Sequence, residues 1–257
     1  MSAIRITCEE RWAWIWLNRP QRRNALNNEL LHELGQALET LDGNAEVRVV
    51  ILTGEGKAFC SGLDLEELQR MHQKSFEESL ADSRLYAGLL KKLYRYRKPV
   101  IAALNGPAMA GGCGLASVCD LVVAARSARL GYTEAKIGFV GAIVSYFLVR
   151  NAGERAARDL LFTARQIDAE EARRVGLVNE VVDDQNLLAR VRQLAAHLCA
   201  NSAQSIRASK ALLARIVSSD LDEALEYACQ LNARSRSSAD CIEGVAAFLE
   251  KRPPRWA

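Results

Sequence analysis

Apolar positions along the chain change period several times, and the changes outline a fold. Residues 12–17 form an aromatic and β-branched run. Residues 28–41 place Leu30, Leu31, Leu34, Ala37, Leu38 and Leu41 at helical spacing, and residues 47–53 form a continuous apolar run closed by Gly54 and Gly56. A short apolar run bounded by turn residues reads as a buried strand, and apolar positions three and four apart read as one helix face. The predicted order is strand, helix, strand. It recurs with a helical stretch over 76–96, ended at Lys98-Pro99, where the residue before proline is driven out of the helical region. An apolar strand at 100–104, the turn Asn105-Gly106-Pro107 and a second apolar run at 120–125 follow. Alternation of this kind implies parallel strands with helical crossovers, an α/β fold.

From about residue 185 no strand-like run remains, and 187–200, 206–217 and 221–233 predict helices rich in Ala and Leu. Leu212, Leu213, Ile216, Leu221, Leu225 and Leu231 give this tail more apolar surface than a peripheral helix needs. Packing on another subunit and capping of the chain's own core both account for it; assembly is the expectation adopted.

Composition narrows the function classes. The 257 residues are 49% apolar and 25% charged, enough for one large core without disulfide or metal staples. Lys plus Arg (34) nearly balance Asp plus Glu (31), which gives no reason to expect general nucleic-acid binding. The N-terminus lacks a basic region, apolar run and cleavage site, and no stretch approaches a membrane span, so a cytoplasmic location is expected. Seven scattered cysteines without a C-x-x-C pair read as reduced thiols packed as small apolar groups. Only His32, His72 and His197 are present, and no G-x-S-x-G elbow occurs, which counts against metal centres and hydrolase triads. Residues 91–98 hold five basic residues interleaved with Tyr94 and Tyr96, the place where RNA would bind. Positive charge in the last turns of a helix is also what the helix dipole favours, and nucleic acid is not expected as a partner.

Two glycine-containing loops lie between a strand and a helix. In Ala58-Phe59-Cys60-Ser61-Gly62-Leu63-Asp64, Asp64 and Glu67 resemble a capping arrangement for the next helix. The second, Gly106 to Gly114, leads into a small-residue helix and places Gly111 as a natural backbone donor to a developing oxyanion. By themselves such loops are more often just tight packing turns.

In combination they resemble the crotonase (enoyl-CoA hydratase/isomerase) superfamily along nearly the whole chain. The resemblance is carried by Leu17-Asn18-Arg19-Pro20 with Asn24-Ala25-Leu26, Leu52-Thr53-Gly54 with Gly56-Lys57-Ala58-Phe59, and Ser61-Gly62-Leu63-Asp64. It continues through Lys98 to Gly106, Ala110-Gly111-Gly112-Cys113 to Cys119-Asp120, Gly131-Tyr132-Thr133-Glu134, Gly176-Leu177-Val178-Asn179 and Ala247 to Arg252.

That resemblance implies a crotonase-like ββα spiral core over 1–190 and a C-terminal α-helical trimerisation region over 191–257, with trimers often paired into hexamers. The substrate is expected to be an acyl-CoA; coenzyme A arrives as part of it, so no separate cofactor and no metal is implied. The thioester oxygen would sit between the backbone N–H groups of Leu63 and Gly111, stabilising an enolate. Glu134 falls on the second of two family glutamates and would carry the proton. Arg22, Arg23 and Ala25 would lie near the nucleotide, and Leu63 and Asp64 along the bound substrate. Tyr132, Phe139, Ile143 and Tyr146 are candidates for the acyl pocket, although aromatic and aliphatic residues at these spacings are just as readily core. Phe248 and Lys251 would reach CoA from a neighbouring subunit. Asp64 and Asp120 also read as structural, at a helix cap and a strand start.

The first family glutamate position, directly after Gly111-Gly112-Cys113, is Gly114. A glycine transfers no proton. Hydration of a 2,3-unsaturated acyl-CoA is the activity the resemblance most often implies, whereas one carboxylate suits a Δ3,Δ2-enoyl-CoA isomerase that moves one proton between carbons. A non-catalytic acyl-CoA- or RNA-binding protein is the alternative of a different class.

Overall fold

A computed structural model describes residues 2–256. Its elements run β1 (Ile4–Glu9), β2 (Trp12–Leu17), α1 (Asn28–Gly43), β3 (Val49–Gly54), α2 (Leu65–Arg70), α3 (Phe76–Tyr94), β4 (Val100–Leu104), β5 (Ala108–Met109) and α4 (Gly111–Ser117). Then come β6 (Leu121–Ala125), β7 (Arg129–Gly131), α5 (Ala142–Thr163), β8 (Gln166–Asp168), α6 (Ala169–Arg174), β9 (Glu180–Val182), α7 (Leu187–Cys199), α8 (Ala203–Ile216), α9 (Leu221–Arg236) and α10 (Ala239–Leu249). The larger sheet has the order β1-β2-β3-β4-β6-β9, parallel except for the β1–β2 hairpin, and β5-β7-β8 form a smaller one. The α/β architecture is as the apolar pattern predicts.

The central strands read as unbroken apolar runs because both faces of the sheet are covered. Val50, Leu52, Val100, Ala102, Leu104, Val122 and Ala124 face one core with α1 and α3. The alternate residues Val49, Ile51, Ile101, Ala103, Val123 and Ala125 face a second core closed by Leu187, Val191 and Ala195 of α7. Position 190/191 therefore falls inside α7, and that helix packs with the sheet rather than with the tail.

α1 is capped by the Asn27 side chain, which accepts from Leu30 N–H, and α3 by a reciprocal Ser75–Glu78 capping box. The basic end of α3 is spent on α1. Lys92 pairs with Glu39 (2.5 Å), Arg97 with Asp42 (2.6 Å), and Lys98 donates to the Leu41 and Asn44 carbonyls. Tyr96 is buried and donates to the Leu38 carbonyl at 2.8 Å. Three of the five basic residues of 91–98 thus serve the seam with α1, while Lys91 and Arg95 are exposed.

Beyond α7 much of the apolar surface is left uncovered by the rest of the chain. Among the described residues, neither α8 nor α9 contains a buried one, and Leu213, Leu221, Leu225, Val245 and Phe248 are exposed. Among the described residues no helix is long and apolar enough to cross a membrane.

Candidate active site

Two backbone segments build the first loop. After β2 the chain takes two successive left-handed residues, Arg23 (φ 50°) and Asn24 (φ 56°). The fully buried Asn24 side chain holds this turn by accepting from Arg19 N–H (2.9 Å) and donating to the Glu55 (3.0 Å) and Ala58 (2.8 Å) carbonyls. Leu26 then bridges the second segment in parallel: Leu26 N–H donates to Gly62 O and Asp64 N–H to Leu26 O. In a parallel bridge the residue between the two bonded ones turns its own N–H the other way. That residue is Leu63, and among the described residues its N–H has no acceptor.

Asp64 caps α2, but not as the sequence suggests. Its carboxylate accepts from Glu66 N–H at 3.0 Å, while Glu67 pairs with Lys74 at 3.4 Å instead of closing a capping box. The second Asp64 oxygen lies 2.8 Å from Arg19 Nη1. Burial alone would raise the Asp64 carboxyl; the Glu66 N–H and the Arg19 charge outweigh it and hold the group below its ordinary value.

The second loop is locked onto the first. Met109 N–H donates to Cys60 O at 2.9 Å, and Ala110 N–H to Gly131 O at 2.7 Å. Gly62 has φ +87°, and a Cβ there would meet Met109 O at 2.9 Å and stand 3.5 Å from Gly111 N. The two loops thus touch where each carries its candidate donor. A Cβ on Gly112 would collide with the Cys60 carbonyl, and one on Gly111 would meet Leu26 Cδ1 at 2.9 Å. Ala110 holds φ 49°, ψ −117°, a sparsely populated conformation that costs an alanine about 1–3 kcal/mol. It starts α4 so that Gly111 N–H belongs to the unpaired first turn. Among the described residues that N–H also has no acceptor.

Glu134 follows β7 in a short 3-10 turn, 134–137. It is 8% exposed, so its carboxylate is not a solvated loop group. Among the described residues Oε2 has no hydrogen-bond partner, and a Cβ on Gly141 would stand 3.0 Å from Oε1. Burial pushes this carboxyl above its ordinary value. Tyr132 beside it is 1% exposed. The Cys60 and Cys113 thiols are buried, Cys60 being pushed up to about 12 and Cys113 higher still, so neither is a thiolate nucleophile.

Tyr86, on α3, is the site residue that no motif marks. It lies mid-helix, 25 positions before its partner, and its hydroxyl donates to the Gly111 carbonyl at 2.6 Å. A Cβ on Gly114 would collide with that hydroxyl and stand 2.5 Å from Val144 Cγ1. Arg19 is likewise unmarked as a functional residue in the sequence reading, although it lies within the quoted motif.

The binding residues expected from the resemblance are partly gathered. Arg22 is exposed and pairs with Glu66 at 2.5 Å; Arg23 is exposed on the same turn, and Ala25 is buried, its carbonyl accepting from Arg19. Ile143 packs against the core, whereas Phe139 and Tyr146 are 43% and 56% exposed and stand with exposed Ile137 and Val140 as an apolar rim. Phe248, 83% exposed, borders a groove of about 380 Å³ with Ser202, Val245, Leu249 and Trp256. None of the loop residues above lines that groove. Lys251 is exposed just beyond α10.

Comparison with known proteins places these features in a family setting. The enoyl-CoA hydratase/isomerase family profile matches residues 8–257. A Thermus thermophilus protein carrying an enoyl-CoA hydratase name is 46% identical over 244 residues, 95% of this chain and 96% of that one. The crotonyl-CoA hydratase of Syntrophomonas wolfei is 36% identical over 250 residues, covering 95% and 94%. The crystal structure of an enoyl-CoA hydratase from Mycobacterium smegmatis superposes with TM-score 0.95 at 34% identity, covering 100% of this chain and 99% of that one.

Proposed function

The chain belongs to the enoyl-CoA hydratase/isomerase family, and on that premise we propose that it hydrates the 2,3 double bond of an unsaturated acyl-CoA. The observation that carries the reading is Glu134, a buried carboxylate with one unpartnered oxygen, in a fold whose two touching loops each offer an unpaired N–H.

The thioester oxygen is bound by Leu63 N–H and Gly111 N–H. As water adds to C3, the π electrons move onto that oxygen as an enolate. Losing one preorganised donor of this kind typically costs about 3–4 kcal/mol, so two such donors supply much of the stabilisation that the weakly acidic α-position lacks. Glu134 takes a proton from the water as its oxygen bonds to C3 and returns it to C2 when the enolate collapses. One proton is borrowed and returned, so one carboxylate closes the cycle. A carboxyl raised by burial is suited to both halves, as acceptor and then donor near neutral pH. Leu63 needs no particular side chain because only its backbone acts.

The exposure of Arg22 and Arg23 on the turn before α1 supports a role for them in binding the CoA phosphates. The uncovered apolar faces of α8 to α10 support assembly into a trimer or hexamer, in which Phe248 and Lys251 would reach the CoA of a neighbouring subunit.

A Δ3,Δ2-enoyl-CoA isomerase is the second reading, favoured by Gly114, which leaves Glu134 without a second carboxylate at that position. Incubation with trans-2-hexenoyl-CoA in heavy water, read by mass spectrometry, separates the two. A product heavier by one whole heavy-water molecule is the expected result. Deuterium uptake into CoA ester that gains no water assigns isomerisation instead.

A further inference from the structure

The volume beside Gly114 is filled from elsewhere in the chain. Tyr86 comes from α3 and Val144 from α5, and together they leave no room for even a methyl group on Gly114. A side chain at position 114 and the Tyr86 hydroxyl are therefore mutually exclusive occupants of one place. Tyr86 Oη is also 3.3 Å from where a Cβ on Gly111 would stand, so it borders the residue that donates to the thioester oxygen.

Val144 links this place to the carboxylate. Its Cγ1 faces Gly114, and its Cγ2 lies 3.2 Å from the Cβ position of Gly141, which in turn is 3.0 Å from Glu134 Oε1. Tyr86 and Glu134 thus flank the row Gly114, Val144, Gly141 from its two ends. Burial first, and with it the negative charge of Glu134, keep the Tyr86 phenol protonated.

A phenol has one proton to donate, and that of Tyr86 is committed to the Gly111 carbonyl at 2.6 Å. What the oxygen has left for the site is lone-pair electrons. A water molecule has two protons to place. We propose that Tyr86 Oη accepts one of them while Glu134 takes the other, so that Tyr86 positions the attacking water in the place a second carboxylate would otherwise hold. The water oxygen then bonds to C3, the proton on Glu134 goes to C2, and the proton facing Tyr86 stays on the new 3-hydroxyl group. The inference rests on the hydratase reading and makes Tyr86 a positioning residue rather than an acid or base.

The test is Tyr86→Phe in the full-length protein. Two reactions are followed: hydration of crotonyl-CoA, and exchange of the C2 protons of butyryl-CoA in heavy water. Exchange needs Glu134 and the two backbone donors but no positioned water. The variant is expected to lose about 10- to 100-fold in kcat for hydration, the scale on which a misplaced reactant acts. KM and the exchange rate should stay within about threefold, since neither depends on the water's orientation. If Tyr86→Phe hydrates as fast as the wild type, the proposal is overturned while the hydratase reading stands. If hydration and exchange fall together, the residue supports the loop rather than the water, and the proposal is again overturned. If the wild type exchanges butyryl-CoA protons but never hydrates crotonyl-CoA, the hydratase reading fails first and takes this one with it.

Discussion

Arg19 holds Nη1 2.8 Å from Asp64 Oδ2 and 2.5 Å from the Ala25 carbonyl, so one guanidinium ties the turn before α1 to the loop that presents Leu63 N–H. Asp64→Ala removes both this pair and the cap of α2, and a lost cap typically destabilises by about 1 kcal/mol. The carboxyl is held below its ordinary value in the folded state, so its stabilisation is present above the unfolded value and is lost as pH falls through the lowered folded one. Urea unfolding should show wild type and Asp64→Ala separated at pH 7 and converging on acidification below about pH 4. A gap that persists unchanged into strong acid would contradict the pairing.

Glu134→Gln should reduce turnover by at least about 10²-fold, the low end of what a positioned acid–base group contributes. The folded carboxyl is raised by burial, so its charged form is disfavoured by folding; any stability it adds exists at low pH and is lost as pH rises through the folded value. The amide removes that penalty, and its Tm at pH 8 should equal or exceed the wild type's. In the active protein the acid limb of kcat/KM should fall above pH 4.5, the ordinary value of the group. A limb below it would mean that another group sets the profile.

Leu63 and Gly111 are expected to answer differently to the same change. Leu63→Ala leaves the backbone donor in place and should keep kcat within about threefold, since the proposed mechanism holds the oxyanion by N–H groups rather than side chains. Gly111→Ala adds a methyl group 2.9 Å from Leu26 Cδ1 and 3.3 Å from Tyr86 Oη, which shifts the second donor. A loss of about 10²-fold in kcat with little change in KM is expected. Steady-state kinetics on crotonyl-CoA decide it, and equal responses from the two variants would remove the backbone assignment.

Light scattering should give a mass that is a multiple of the 257-residue chain, with three copies expected. Replacing Val245 and Phe248 together with aspartate puts charge on the exposed faces of α10 and should shift the protein toward monomer. A wild-type monomer at micromolar concentration would show that these faces are not an interface.

What was legible in the chain is what local spacing encodes. The α1 apolar face and the β3 and β4 runs follow from period alone, because burial on one face or on two leaves a direct imprint on composition. β1 left no such mark. Only Ile4 of its six residues is buried, as befits a strand at the sheet edge. β5, β7, β8 and β9 are two or three residues long, and their pairing is decided by what lies beside them.

The site divides in the same way. Gly111, Leu63 and Glu134 could be named from motifs, since the motif lies where the chemistry needs a backbone donor or a carboxylate. Which Asp64 contacts form, that Glu134 is buried, and that Tyr86 meets Gly114 were decided only by tertiary packing. Tyr86 occupies an ordinary helical position, and the Gly111 carbonyl it reaches is 25 residues away along the chain. Periodicity reports what each segment must bury; it carries no record of which distant segment will fill the space, because excluded volume acts between atoms only once the chain has brought them together.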